Sequence, residues 1–168
     1  MRIKTAPDDF RVEEVLHFAP AKKEAPFRVF LLEKEGWNTA DAIQEAAKAC
    51  GVPLAEIRSV GKKDRHAHTI QHVSVPLKYD LAYEGKGFVI RFAGYSTAHL
   101  APSVLKGNRF SAALRDMTAA EAGACEARLE RIAARGFANY FDDQRFGNVG
   151  EKGEFFAEML VKRRFGPA

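Results

Sequence analysis

One carboxylate and three cations crowd the first five residues of Gly61-Lys-Lys-Asp-Arg-His-Ala-His-Thr-Ile-Gln71. Lys62, Lys63 and Arg65 favour the charged form of Asp64 and keep it ionised at neutral pH. An ionised carboxylate on a basic surface can serve as nucleophile or base toward a substrate that the cations recruit. The same residues also make an ordinary basic β-turn with Asp64 as turn former, and in isolation they favour that turn.

Three histidines follow, His66, His68 and His72. His66 and His68 share a face if a strand starts that early. No carboxylate or cysteine at ligand spacing completes a set, so no metal is expected. These histidines read as polar strand positions or RNA-facing donors. A second chemical stretch is Asn139-Tyr-Phe-Asp-Asp-Gln-Arg-Phe-Gly147. A nucleobase can stack on such a ring while an amide and a guanidinium take hydrogen bonds. The alternative is a core-anchoring loop with Tyr140 and Phe146 buried. Adjacent Asp142 and Asp143 point to opposite sides of an extended segment, which argues against a two-carboxylate glycosidase. Lys106-Gly-Asn-Arg-Phe110 sets a cation on each side of a Gly-Asn turn and suits a phosphate contact. GxxxxGK[ST], GxGxxG and GxSxG are all absent, so no nucleotide cofactor is expected.

These residues need elements to hold them. Phe10 and Val12 share a face of a strand over Asp9 to Leu16. Phe27 to Leu32 reads as a buried strand, after a loop over Pro20 to Pro26. Asn38 caps a helix with Asp41 at its third position, and Ile43, Ala46, Ala47 and Cys50 form its apolar stripe before Gly51 stops it. Ala55–Val60, Thr69–Val75, Phe88–Phe92 and Asn108–Leu114 read as further strands, with Tyr83 to Gly87 as a turn. Thr118-Ala-Ala-Glu121 matches a capping box. Its helix runs to about Arg135 with Ala122, Cys125, Leu129 and Ile132 facing inward, and Gly136 ends it. Glu154 to Leu160 reads as a short helix. The order predicts an α+β fold, with a mostly antiparallel sheet and helices on one face.

Composition sets outer bounds. The 168 residues suit one domain with a real core. A net charge of +4 and a pI near 9.1 lean toward a polyanion, and solubility alone accounts for them equally well. Cys50 and Cys125 read as buried free thiols. No apolar run approaches a membrane span and the N-terminus has no signal-peptide core, so a cytoplasmic protein is expected.

Taken in order, Lys4, Pro7-Asp8-Asp9-Phe10, Val12-Glu13-Glu14, GKKDRHAHTIQ, LKGNRF and NYFDDQRFG resemble the TruD family of tRNA pseudouridine synthases. The resemblance runs from Lys4 to about Gly147. It implies a pseudouridine synthase α+β sheet whose visible half is RRM-like. It implies that Asp64 is the catalytic aspartate and Lys4 the basic residue beside it. Phe141 matches the aromatic that stacks on the target base, and Asn139 an active-site asparagine. Lys63, Arg65, Gln71 and Arg145 are the further substrate-binding candidates. The reaction implied is isomerisation of a uridine in tRNA, in bacteria typically at position thirteen, with neither metal nor organic cofactor. Family members are about twice this length, and an inserted domain interrupts their catalytic domain. On that footing residues 1–168 form one domain, the N-terminal part of the catalytic domain, without the inserted domain and the C-terminal part. The alternative is a catalytically incomplete RNA-binding fragment, or a subunit whose sheet a second polypeptide or self-association completes. Asp142 stands where the family usually has glycine, and His72 where an aromatic is common.

Overall fold

The computed structural model describes residues 1–138 and 161–162. The chain divides into two compact units, Met1–Thr118 and Ala119–Ala168. In chain order the first unit carries β1 (Arg2–Ile3), β2 (Phe10–Leu16), β3 (Phe27–Lys34), α1 (Thr39–Cys50), β4 (Arg58–Ser59), β5 (His68–Pro76), β6 (Tyr83–Gly85), β7 (Phe88–Ser96), β8 (Leu105–Ala112) and β9 (Leu114–Arg115). The second unit carries α2 (Ala119–Arg135).

Among the described residues, six strands form the main sheet in the order β6-β7-β3-β5-β2-β8, and β4 also pairs with β5. Every pairing in it is antiparallel except β2 with β5. This is the mostly antiparallel α+β arrangement the patterning predicts. A continuous apolar set explains the central strands: Phe30, Leu32, Val73, Val75 and Ile90 are buried, and Ala42, Ala46 and Ala47 of α1 close over them. The small alanines let the helix approach the sheet closely. Asn38 caps α1, although its side chain bonds Asp41 Oδ2 at 2.8 Å rather than a main-chain N–H. Gly51, at φ 67°, takes the left-handed position that ends the helix.

Several expectations shift. β3 runs two residues beyond Leu32, to Lys34, and β7 runs to Ser96. Tyr83–Gly85 is strand rather than turn, because it pairs with Phe88–Ile90 and leaves only Lys86-Gly87 to reverse the chain. Arg58–Ser59 is all that is strand between Ala55 and Val60; a single 3-10 turn precedes it. Lys106-Gly-Asn-Arg-Phe110 lies inside β8 and is no turn, with Val12 opposite Phe110 and Glu13 opposite Arg109. No described residue of α2 is buried, and Leu129 and Ile132 are exposed. Amphipathic spacing therefore shows that the helix has an apolar stripe, but not what covers it. Cys50 and Cys125 are free and half-buried. The helix expected over Glu154 to Leu160 lies outside the described residues. No described helix is long and apolar enough to cross a membrane.

The 3-10 turn Pro7–Asp9 that leads into β2 is tied by charge. Buried Asp9 accepts from Ala6 N at 3.0 Å and from Arg115 Nε at 2.8 Å. The Arg115 hydrogen bond is the main reason its carboxyl falls from 3.8 to about 2. A lowered folded pKa adds stability above the unfolded value and loses it as pH falls through the folded one. The stability gap between wild type and Asp9→Asn should therefore narrow as pH drops from 3.8 to about 2. Urea melts across that window test this, and a gap that stays constant would count against it.

Candidate active site

β2 and β5 run side by side in the same direction, with Arg11 opposite His68. The segments that lead into two parallel neighbours emerge at the same end of the sheet. Lys4 precedes β2 and Asp64 precedes β5, so topology brings together two residues 60 positions apart. Lys4 Nζ donates to Asp64 Oδ2 at 3.0 Å. Lys4 sits at φ 56°, uncommon for a side chain with a Cβ. Its ammonium lies 4.1 Å from the Phe10 ring centroid, within cation–π range. The main-chain N–H of His66 donates to Asp64 Oδ1 at 3.1 Å. Both carboxylate oxygens are thus held by donors. The Lys4 hydrogen bond, then the His66 N–H, push the Asp64 carboxyl below its ordinary value, against a smaller opposing effect of burial. The side chain stays 39% exposed, so the ionised group can still meet a ligand.

The loop that carries Asp64 is fixed from beneath. Thr39, the first residue of α1, donates its hydroxyl to Gln71 Oε1 at 2.8 Å and accepts from Lys63 N at 3.2 Å. Gln71 Nε2 donates to Gly61 O at 3.2 Å. Two buried polar groups therefore clamp the loop at Gly61 and Lys63, and each satisfies the other. Beyond Asp64, Gly36 N donates to Arg65 O and Arg65 Nε donates to Gly36 O, each at 3.0 Å.

Below this clamp lies a buried ion pair. Lys63 Nζ is 3.0 Å from Glu14 Oε2, though off hydrogen-bond geometry, while Glu14 Oε1 accepts from His72 N at 3.0 Å. Burial drives the Glu14 carboxyl up. The hydrogen bonds from His72 and the charge of Lys63 outweigh it, and the group ends below its ordinary value.

The expected site residues therefore separate. Asp64 and Lys4 meet. Arg65 is exposed beside them, whereas the Lys63 ammonium and the Gln71 amide turn inward. Asn139, Phe141 and Arg145 lie outside the described residues. The shared face expected of His66 and His68 does not form. β5 starts at His68, so His66 stays in the turn, His68 is buried and His72 faces Glu14. Folding also brings carboxylates to His68 that chain spacing hides. His68 Nδ1 lies 2.7 Å from Glu35 Oε1 and 3.3 Å from Asp8 Oδ1, a grouping with ligand atoms within 4.8 Å of one another. His68 Nε2 lies 2.9 Å from Glu33 Oε1, and Arg11 and Arg91 pair in turn with Asp8 and Glu33. Glu14, Lys34 and Thr39 are the residues that sequence reasoning missed. The available signal was phase: Glu14 alternates with Val12 and Leu16, and Lys34 with Phe30 and Leu32, so charge stands at core positions.

Comparison with known proteins adds the following. A family model described as tRNA pseudouridine synthase D (TruD) matches residues 1–168. The tRNA pseudouridine synthase D of Leptospira interrogans (serovar copenhageni) is 37% identical over 86% of the chain and 36% of its own length. That of Thermus thermophilus is 40% identical over 88% of the chain and 42% of its own length. A crystal structure of a Methanosarcina mazei protein assigned to tRNA pseudouridine synthase D superposes with a TM-score of 0.79 at 25% identity, covering 88% of this chain and 35% of that one. The chain thus spans well under half the length of these relatives.

Proposed function

Since this chain belongs to the TruD family of tRNA pseudouridine synthases, we propose that it carries the aspartate-bearing part of a site that isomerises uridine to pseudouridine in tRNA. The observation that supports this most directly is Asp64 itself: exposed, ionised, and held by Lys4 and the His66 N–H. In the reaction the N1–C1′ bond of uridine breaks, the uracil turns and C5 bonds to C1′. C5 then gives up its proton and N1 gains one. An ionised aspartate serves this as a nucleophile or as a base at the sugar, and either role requires the charged form. Lys4 keeps it charged. The uridine must first leave its stack, at about a few kcal/mol. An aromatic such as Phe141 would offset part of this, at roughly 1–3 kcal/mol per stacked base. Arg65, exposed one residue after Asp64, would meet the phosphate backbone there. In this reading Lys63 and Gln71 act from beneath, as supports of the loop.

Tritium release from tRNA labelled at uridine C5 tests the reading, because C5 must lose its hydrogen. Steady release by the purified chain supports it. A second reading follows from the share of the relatives that the chain spans: an RNA-binding unit whose cleft a further segment or polypeptide completes. Tight tRNA binding with no release at excess protein selects that one.

Lys4 offers a test that needs no turnover. Lys4→Met should raise the Asp64 titration toward its ordinary 3.8, since the largest lowering influence is gone. Carboxyl-selective NMR across acid pH reads this directly, and an unmoved Asp64 titration would rule out Lys4 as the group that holds it ionised.

A further inference from the structure

Lys34 occupies a position that ordinary packing would give to an aliphatic side chain. It follows Phe30 and Leu32 on the inward face of β3 and is 1% exposed. Burying an ammonium is costly, and a leucine in that phase would add to the core instead. The side chain has one hydrogen bond among the described residues: Nζ donates to the main-chain carbonyl of Asp64 at 2.9 Å. Burial lowers its pKa from 10.5 to about 8, with the Asp64 charge working against that fall and Lys63 adding to it. A buried charge that contacts the main chain of the candidate catalytic residue, and makes no ion pair among the described residues, points to a functional position.

We infer that Lys34 is a positioning residue, whose buried ammonium fixes the Asp64 carbonyl and thereby keeps the carboxylate in reach of Lys4 and the His66 N–H. The inference rests on the reading of Asp64 as the reacting group. Lys34 does not touch substrate. It acts on the loop from the core side, where the Thr39–Gln71 clamp holds residues before Asp64 and the Gly36–Arg65 pair holds those after it. Among the described residues, only Lys34 reaches the main chain of Asp64 itself from this side.

The test compares wild type with Lys34→Met, which keeps the side chain as far as Cε and removes the donor. Amide hydrogen exchange on the 168-residue chain reports the loop through Lys63, His66 and Gly36. It reports the sheet through Leu32 and Val73. Exchange at the loop amides should accelerate at least tenfold, with the sheet amides within threefold. Where the chain turns over tRNA, kcat should fall at least tenfold while KM stays within threefold. Lys34→Gln, a shorter neutral donor, is the second variant should Lys34→Met not fold. Unchanged loop exchange overturns the inference. So does acceleration spread evenly over loop and sheet in both variants, since Lys34 would then act on the whole fold. If wild type releases no tritium while loop protection still depends on Lys34, the functional reading fails and the positioning role stands.

Discussion

Asp64→Asn is expected to reduce pseudouridine formation by about 10³-fold or more, the scale of losing a group that bonds to or takes a proton from the reacting centre. tRNA affinity should stay within about threefold, because that much is under 1 kcal/mol of binding free energy. The change is close to isosteric, so the His66 N–H keeps its acceptor. Thermal stability should barely move. Lys4 and Asp64 side chains are 42% and 39% exposed, and ion pairs of that kind contribute about 0–1 kcal/mol. A loss of activity with an intact melt and intact binding therefore isolates the chemistry. If the asparagine variant retains more than about a tenth of wild-type turnover, Asp64 is not the reacting group.

Lys63→Met is expected to have the largest effect on stability. Lys63 and Glu14 side chains are 7% and 0% exposed, and removing one member of such a pair leaves an uncompensated buried charge. The cost should be roughly 3–5 kcal/mol in chemical denaturation. Adding Glu14→Gln to Lys63→Met should recover part of it, because the stranded carboxylate is then gone. The pH dependence has a definite sign. In wild type the Glu14 carboxyl is below its ordinary value, so its contribution is present above the unfolded value of 4.5 and is lost as pH falls. In Lys63→Met, burial acts with less opposition and the carboxyl rises. The penalty should then shrink as pH drops and Glu14 protonates. An equal penalty at neutral and acid pH would show that Glu14 is not the source.

Local pattern made much of this molecule readable. Alternation in Phe10–Leu16 and Thr69–Val75, and the alanine stripe before Gly51, each specify an element whose partners are nearby or interchangeable. What stayed hidden depends on contacts made across the chain. Glu14 shares the phase of Val12 and Leu16, but nothing in the local pattern shows that Lys63 meets it there. Lys34 looks like the end of β3, because a lysine ordinarily closes an apolar run. The three residues Tyr83–Gly85 are too short and too polar to signal a strand without their partners in β7. Asp64 itself was ambiguous within GKKDR. What distinguishes it from a turn former is Lys4, which no spacing rule places beside it.

The parallel junction of β2 with β5 also bears on how the protein folds. The antiparallel body of β3, β5, β6 and β7 can assemble, and α1 can settle on it, without β2. β2 joins β5 by a pairing of its own, and with β3 already on β5 the loop left to close runs from Leu16 to Phe27. Lys4 is delivered to Asp64 by this pairing. The paired carboxylate is therefore absent from any intermediate in which only the antiparallel strands have formed. A chain that has acquired most of its secondary structure still has no site, and the Lys4–Asp64 contact reports the completion of folding rather than its progress.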